Sequence, residues 1–374
     1  MSAALAYLGK EKDLNTQVES FIAQLKRRQI KSSYGIALAT AQLLLRVVSA
    51  ARWTQIEQLI VQIKELGARL EKAQPRELTC GNIVRRVLAI IREENEDTGM
   101  SEFDDDKGNG SPLIASMFSL LSTDDKEPAE AGERGERGER GELPRKKDLK
   151  PYIIEGIQEL IDEIKNIEES IAGMGVEMIH ENETLLTPTP SSRTVLKFLL
   201  RAAQKRKFSV LVTESFPNEV EVAHGFAKQL AQAGIETTVI SDATAYSIMG
   251  RVGKVVLGAS SVVANGGFIA SAGASAVCEC ASVHKTPVVV CTGIYKLSPM
   301  YPFDREGLVE VGDAGKVLEF ENGPLIDKVN VVNPLFDYVP PELVDLYITN
   351  LGGYSPSFVY RLVLDYYRQD DVIL

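Results

Sequence analysis

The stretch KVVLGASSVVANGGFIASAGASAVCECASVHKTPVVVC, residues 254–291, begins and ends on a short run of β-branched residues. Between Val255-Val256-Leu257-Gly258 and Val288-Val289-Val290-Cys291 lies a segment rich in alanine and serine, of helical composition. Strand, helix and strand in succession imply a parallel sheet covered on both faces. Inside the stretch, Asn265-Gly266-Gly267 reads as a break at two glycines, with a helix restarting at Ile269. Such a turn directs several backbone N–H groups outward and holds an anion. Glycines that only let a helix pack closely on a strand give the same letters.

The pattern continues outward. Short β-rich runs recur as TLLT (184–187), FSVLVTE (208–214), ETTVI (236–240) and DLYIT (345–349), separated by helical stretches such as VEVAHGFAKQLAQAG (220–234). In such sheets ligands sit beyond the carboxyl ends of the strands. The loops 187–192, 214–218, 242–245, 260–268 and 292–299 are therefore the places to look for a site.

The amino half has a different period. Val18, Phe21, Ile22 and Leu25, then Ala37, Ala41, Leu44, Leu45 and Val48, then Ile56, Leu59, Ile60, Ile63, Leu66 and Leu70 recur at helical spacing. Thr54 and Pro75 mark the ends of the third helix. A fourth helix over 82–94 sets Ile83, Val84, Val87, Leu88 and Ile91 on one side and Arg85, Arg86 and Arg92 elsewhere. Residues 97–149 are mixed in charge and rich in glycine, with three Gly-Glu-Arg triplets. That composition buries too little surface to offset chain entropy and reads as a mobile insertion; three triplets without proline do not hold a collagen helix. Order resumes at Pro151, in the first turn of a long helix. The expected organisation is an α/β chain: an N-terminal helical domain (1–96), the insertion (97–149), a connecting helix (150–183) and a Rossmann-like parallel-sheet domain (184–374).

At 374 residues and 44% hydrophobic content the chain can bury a sizeable core. A formal net charge of −11 argues against a nucleic-acid surface. No basic start followed by a long apolar stretch is present, so a soluble, cytoplasmic protein without a membrane segment is expected. Cys80, Cys278, Cys280 and Cys291 are too few for a disulfide framework. Cys278 and Cys280 point about 200° apart on a helix and do not chelate one metal. His180, His224 and His284 read as surface or capping residues rather than bases. Glu214 and Asp242, at the carboxyl ends of strands, read as hydrogen-bonding scaffold in preference to vestigial ligand contacts.

Four stretches carry a resemblance: LTPTPSSRTV (186–195), VLVTESFPNEVEVAHGFAKQLAQAGIETTVISDA (210–243), residues 255–291, and NPLFDYVPPELVDLYITNLGG (333–353). They resemble the carboxyl domain shared by regulatory subunits of translation initiation factor 2B and by isomerases of methylthioribose-1-phosphate and ribose-1,5-bisphosphate. FIAQLKRRQIKSSYGIALATAQLLLRVVSAARW (21–53), AQPRELTCGNIVRRVLAIIREE (73–94), YKLSP and FDYVPPELV narrow the resemblance to beta-type members. The isomerases work with a cysteine and an aspartate, a pair able to shuttle protons. At the matching positions stand Thr189 and Ser260, and the family's Asn-Gly-Asp reads Asn265-Gly266-Gly267. None of the three replacements titrates near neutral pH. Phe216 stands where an arginine is expected, which removes a bidentate phosphate donor.

The resemblance therefore implies a non-catalytic regulatory and scaffold subunit of the exchange factor for initiation factor 2, with a sugar-phosphate isomerase as the alternative. It implies the delta, gamma, epsilon and alpha subunits and the alpha subunit of initiation factor 2 as partners, and no cofactor, metal or nucleic acid. Asn182, Thr184, Ser209 and Thr238 are expected at a subunit interface. Lys26, Arg27, Arg85, Lys150 and Tyr152 are expected to contact the substrate factor. Asn265, Gly266 and Gly267 are expected as a vestigial anion site.

Overall fold

The computed structural model describes residues 2–30, 32–53, 55–104, 149–304, 307 and 309–374. Four helices open the chain: α1 (Ser2–Lys26), α2 (Ser33–Ala50), α3 (Ile56–Ala73) and α4 (Thr79–Asp104). The first begins well before the periodic residues do, and the fourth runs past Glu94 to Asp104. Thr54, Lys31 and residues 105–148 of the expected insertion lie outside the described residues. α2 has the length and hydropathy of a membrane span. Its Ile36, Ala37, Ala41, Leu43, Leu44 and Val48 are nevertheless buried against the rest of the fold.

α5 (Lys150–Met178) is the hinge pin of the architecture, with proline in its first turn. Isoleucine and leucine at 153, 157, 160, 161, 164, 167 and 171 are all buried. One stripe meets α2 and α4, and another meets the sheet and the helix that follows its first strand. The helical half and the sheet half consequently share one hydrophobic core, which runs from Val18 on α1 to Ile348 at the far side of the sheet.

The strands β1 (Glu183–Thr187), β2 (Phe208–Thr213), β3 (Glu236–Ile240), β4 (Lys254–Gly258), β5 (Ser261–Val262), β6 (Phe268–Ser271), β7 (Val288–Cys291), β8 (Phe336–Val339), β9 (Leu346–Thr349) and β10 (Gly352–Tyr354) form two sheets. The larger has the order β10-β9-β7-β4-β1-β2-β3 and is parallel apart from β10. Helices α6 (Arg193–Ala203) and α7 (Val220–Gln232) cover one face, where Leu185, Val210, Val212 and Val256 point. Helices α8 (Ala274–His284) and α9 (Val359–Tyr366) cover the other, over Leu257, Val288, Val290 and Tyr347. All six β-rich runs of the sequence are strands of this sheet. The small antiparallel sheet β5-β6-β8 is not visible in the sequence pattern.

Candidate functional site

A cleft of about 170 Å³ opens where the helical half meets the carboxyl ends of β1, β4 and β7. Local chemistry fixes its walls. Ser32 and Ser192 cap α2 and α6, their hydroxyls accepting from the N–H groups of Gly35 and Val195 at 3.1 and 3.3 Å. A Cβ on Gly258 would stand 2.2 Å from Ser192 Oγ, so only glycine lets the end of β4 come this close to α6. Two hydrogen bonds tie the halves across the cleft: Ser33 Oγ donates to Ser260 O at 3.4 Å, and Asn82 Nδ2 to Tyr295 O at 3.2 Å.

The charges at the cleft are mostly committed. Glu168 is buried and receives Lys197 Nζ at 2.9 Å and Arg193 Nη2 at 3.5 Å. Burial raises the Glu77 carboxyl above its ordinary range, against hydrogen bonds from the Thr79 hydroxyl and N–H. Lys296 is buried and donates to Ala259 O at 2.7 Å. Burial pulls its amine down to about 8, opposed by the charges of Glu77, Glu168 and Cys291. Burial likewise pushes the Cys291 thiol up to about 12.

Thr189 and Ser260 both line this cleft. Thr189 Oγ1 accepts from the Gly258 N–H at 2.9 Å, which makes it a strut between β1 and β4. Phe216 is 65% exposed and presents an apolar ring at the surface. Its N–H donates to Asp242 Oδ2 at 3.0 Å, so Asp242 braces the loop after β2. Neither the Thr189 nor the Ser260 hydroxyl can exchange a proton near neutral pH.

Asn265, Gly266 and Gly267 require a correction. No helix restarts at Ile269; the stretch turns from β5 into β6 as a hairpin, and α8 begins only at Ala274. The N–H of Gly266 donates to Val263 O and that of Gly267 to Asn265 Oδ1, both at 2.9 Å. With these two amides used inside the turn, the loop does not form the expected cradle. Gly266 has φ +84°, and a Cβ there would lie 2.5 Å from Pro356 O. Close backbone approach, not ligand binding, accounts for the glycine. The start of α8 is also occupied: the N–H groups of Gly273 and Ser275 donate to Asp337 Oδ2 at 2.7 and 3.2 Å. The chain's own carboxylate sits where an external anion would bind.

Thr184, Ser209 and Thr238 are brought together. Thr184 pairs with Ser209 in register, Leu211 pairs with Thr238, and the three side chains share one sheet face beside the edge strand β3. The hydroxyls of Thr184 and Ser209 lie 3.0 Å apart, and Thr238 is exposed. Asn182 precedes them in the left-handed region, φ +58°, its N–H donating to Lys207 O at 2.7 Å.

The basic residues are not brought together. Lys26 and Arg27 are exposed at the end of α1, beside the start of α2, whereas Lys150 Nζ donates to Ala51 O at 2.9 Å beyond the other end of α2. That helix of 18 residues is about 27 Å long. Tyr152 is 46% exposed at the Lys150 end. Arg85 is a correction: it is 2% exposed, donates twice to Val372 O at 3.0 and 2.8 Å, and pairs with Glu71 at 2.9 Å. It holds the carboxyl terminus and presents no surface to a partner. The cleft's Ser33, Glu77, Glu168 and Lys296 were not singled out from the sequence. The one local signal for Lys296 is a basic residue in the loop five positions beyond an apolar strand, in VVVCTGIYKLSP.

The initiation factor 2 subunit family matches residues 29–356. Translation initiation factor eIF2B subunit beta of Schizosaccharomyces pombe is 42% identical over 386 residues, covering 96% of this chain and 97% of the relative. A chain in the crystal structure of the tetrameric eIF2B-beta2-delta2 complex from C. thermophilum has a TM-score of 0.68 at 30% identity, covering 96% of this chain and 97% of that one. Ribose 1,5-bisphosphate isomerase of Archaeoglobus fulgidus is 30% identical over 213 residues, 57% of this chain and 67% of the relative. The match thus runs through both halves and the helix that joins them, and the chain belongs to the initiation factor 2 subunit family.

Proposed function

We propose that the chain is a regulatory and scaffold subunit of the guanine-nucleotide exchange factor for translation initiation factor 2, working in the cytoplasm without isomerase or exchange chemistry of its own. The observation that carries this reading is the likeness to a beta subunit along almost the whole chain, joined to a cleft with hydroxyls at Thr189 and Ser260. Its partners are then the delta, gamma, epsilon and alpha subunits of the factor, and initiation factor 2 through its alpha subunit. The shared core holds the helical half at a fixed position relative to the sheet. Phosphorylation of the partner's alpha subunit adds about −1.5 to −2 charges. Exposed cations such as Lys26 and Arg27 would hold that form more tightly and in another pose. Inhibition follows to the extent that the two poses differ in affinity.

Reconstituted exchange assays test this reading. Lys26→Glu, Arg27→Glu and Tyr152→Ala are expected to change substrate affinity or sensitivity to the phosphorylated factor while assembly is retained. Wild-type rates and wild-type inhibition in all three variants would make this helical half structural only. The isomerase reading draws on the likeness to ribose 1,5-bisphosphate isomerase. Turnover of methylthioribose-1-phosphate or ribose-1,5-bisphosphate by the pure chain would overturn the non-catalytic proposal.

A further inference from the structure

The floor of the cleft holds an amine without a counter-ion. Lys64, Lys197 and Lys254 each reach a carboxylate, at 2.9, 2.9 and 2.8 Å. Lys296 is more buried than any of them, at 9% exposure, yet makes no ion pair among the described residues. Its Nζ has the Ala259 carbonyl at 2.7 Å, and the Tyr295 ring centroid lies 5.8 Å away. An ammonium withdrawn from water without a carboxylate in ion-pair contact is costly, and the balance shifts toward the neutral amine. Glu77 from the segment before α4, Glu168 from α5 and Cys291 from the end of β7 face it and offset only part of that cost. A neutral amine keeps a lone pair, and this one borders a cavity.

We propose that Lys296 is an attachment site for a small hydroxyaldehyde, which it holds as an imine. The amine lone pair forms a bond to the aldehyde carbon, the carbonyl oxygen takes a proton, and loss of one water leaves the C=N bond. Nothing is oxidised or reduced. Glu77 lines the same cleft, its carboxyl raised above the ordinary range by burial, and is the group placed to supply the proton and take it back. Hydroxyls of Ser33, Thr189, Ser191, Ser192, Ser260 and Ser271 line the walls and suit a ligand that carries hydroxyls of its own. A volume of about 170 Å³ corresponds to roughly six waters, the size of a short hydroxyaldehyde.

Glycolaldehyde and sodium cyanoborohydride, applied to the full chain, test the assignment, because the reductant converts an imine to a stable secondary amine that peptide mass spectrometry locates. At neutral pH a lysine titrating near 8 has on the order of a hundredfold more free amine than an ordinary lysine. Allowing for restricted access, Lys296 is expected to be labelled about tenfold faster than the exposed Lys228 and Lys285, with the rate levelling off above pH 8. Labelling of Lys228 and Lys285 with Lys296 unmodified, or no faster than they are, overturns the proposal. Without reductant, glycolaldehyde is expected to raise the melting temperature of the wild type and not of Lys296→Arg; equal shifts also overturn it.

Discussion

Arg92 donates through Nε and Nη2 to the two carboxylate oxygens of Asp371 at 2.8 and 2.9 Å, joining the fourth helix of the bundle to the last turn of the chain. Lys64 reaches the same carboxylate at 2.9 Å and the Asp370 carbonyl at 2.7 Å. Burial alone would raise the Asp371 pKa, but the hydrogen bonds from Arg92 and Lys64 outweigh it and hold the carboxyl below its ordinary value. A depressed pKa stabilises the fold above the unfolded value, near 4, and the contribution is lost as pH falls through the folded value. Asp371→Asn is therefore expected to cost about 2 kcal/mol at neutral pH. Urea titrations at several pH values should show the gap between wild type and variant closing in acid.

Arg85 and Lys26 separate a structural role from a surface one. Arg85→Glu places a buried carboxylate against Glu71 and the Val372 carbonyl, and a loss of about 3 kcal/mol or more is expected. Lys26→Glu, on an exposed turn, should stay within about 0.5 kcal/mol of wild type. Equal denaturation midpoints for the two variants would contradict this division.

Lys296 makes stability depend on pH in the alkaline range. Its folded-state pKa of about 8 lies below the unfolded value, so the unfolded chain binds more protons between pH 8 and about 10.4. Stability contributed at this residue therefore rises across that window. Relative to Lys296→Met, the wild type is expected to gain on the order of 3 kcal/mol. A constant difference between the two proteins from pH 7 to 10 would refute it.

The hydroxyl face of β1, β2 and β3 is a candidate for assembly. Ser209→Glu or Thr238→Glu introduces a charge beside the Thr184–Ser209 pair without touching the core on the opposite face. Reconstituted with partner subunits, both variants should sediment as half-complexes. A sedimentation profile unchanged from wild type would remove this face from the interface.

What the sequence made legible follows from how local the signal is. Six of the seven strands of the large sheet are β-rich runs such as Val288-Val289-Val290, which is buried along its whole length, and need no distant partner to be recognised. Phe268-Ile269-Ala270 is equally apolar, but it becomes a strand because Phe336–Val339 pairs with it from far along the chain. Composition at 268–271 cannot report that partner. Arg85 and Arg92 look like a solvent face because helical periodicity assumes one apolar side, whereas α4 is covered by the carboxyl terminus as well. Asp371 and Val372, which receive these arginines, lie 279 and 287 residues further along the chain. The cleft was legible on its sheet side, through the loops after β1, β4 and β7, and illegible on its helical side, where Ser33 and Glu77 enter only through the docking of the two halves.

The 29 residues of α5 make a rod about 43 Å long, gripped along its length by both halves of the molecule. In mechanical terms the chain has no plane of weakness between bundle and sheet. A force applied near Tyr152, at one end of the rod, is delivered to the sheet as a tilt of the whole body, since close-packed interiors transmit strain instead of absorbing it. An assembly built from such rigid bodies would change shape by rotating one against the next, a small angle at the pivot giving a displacement that grows with distance along the lever.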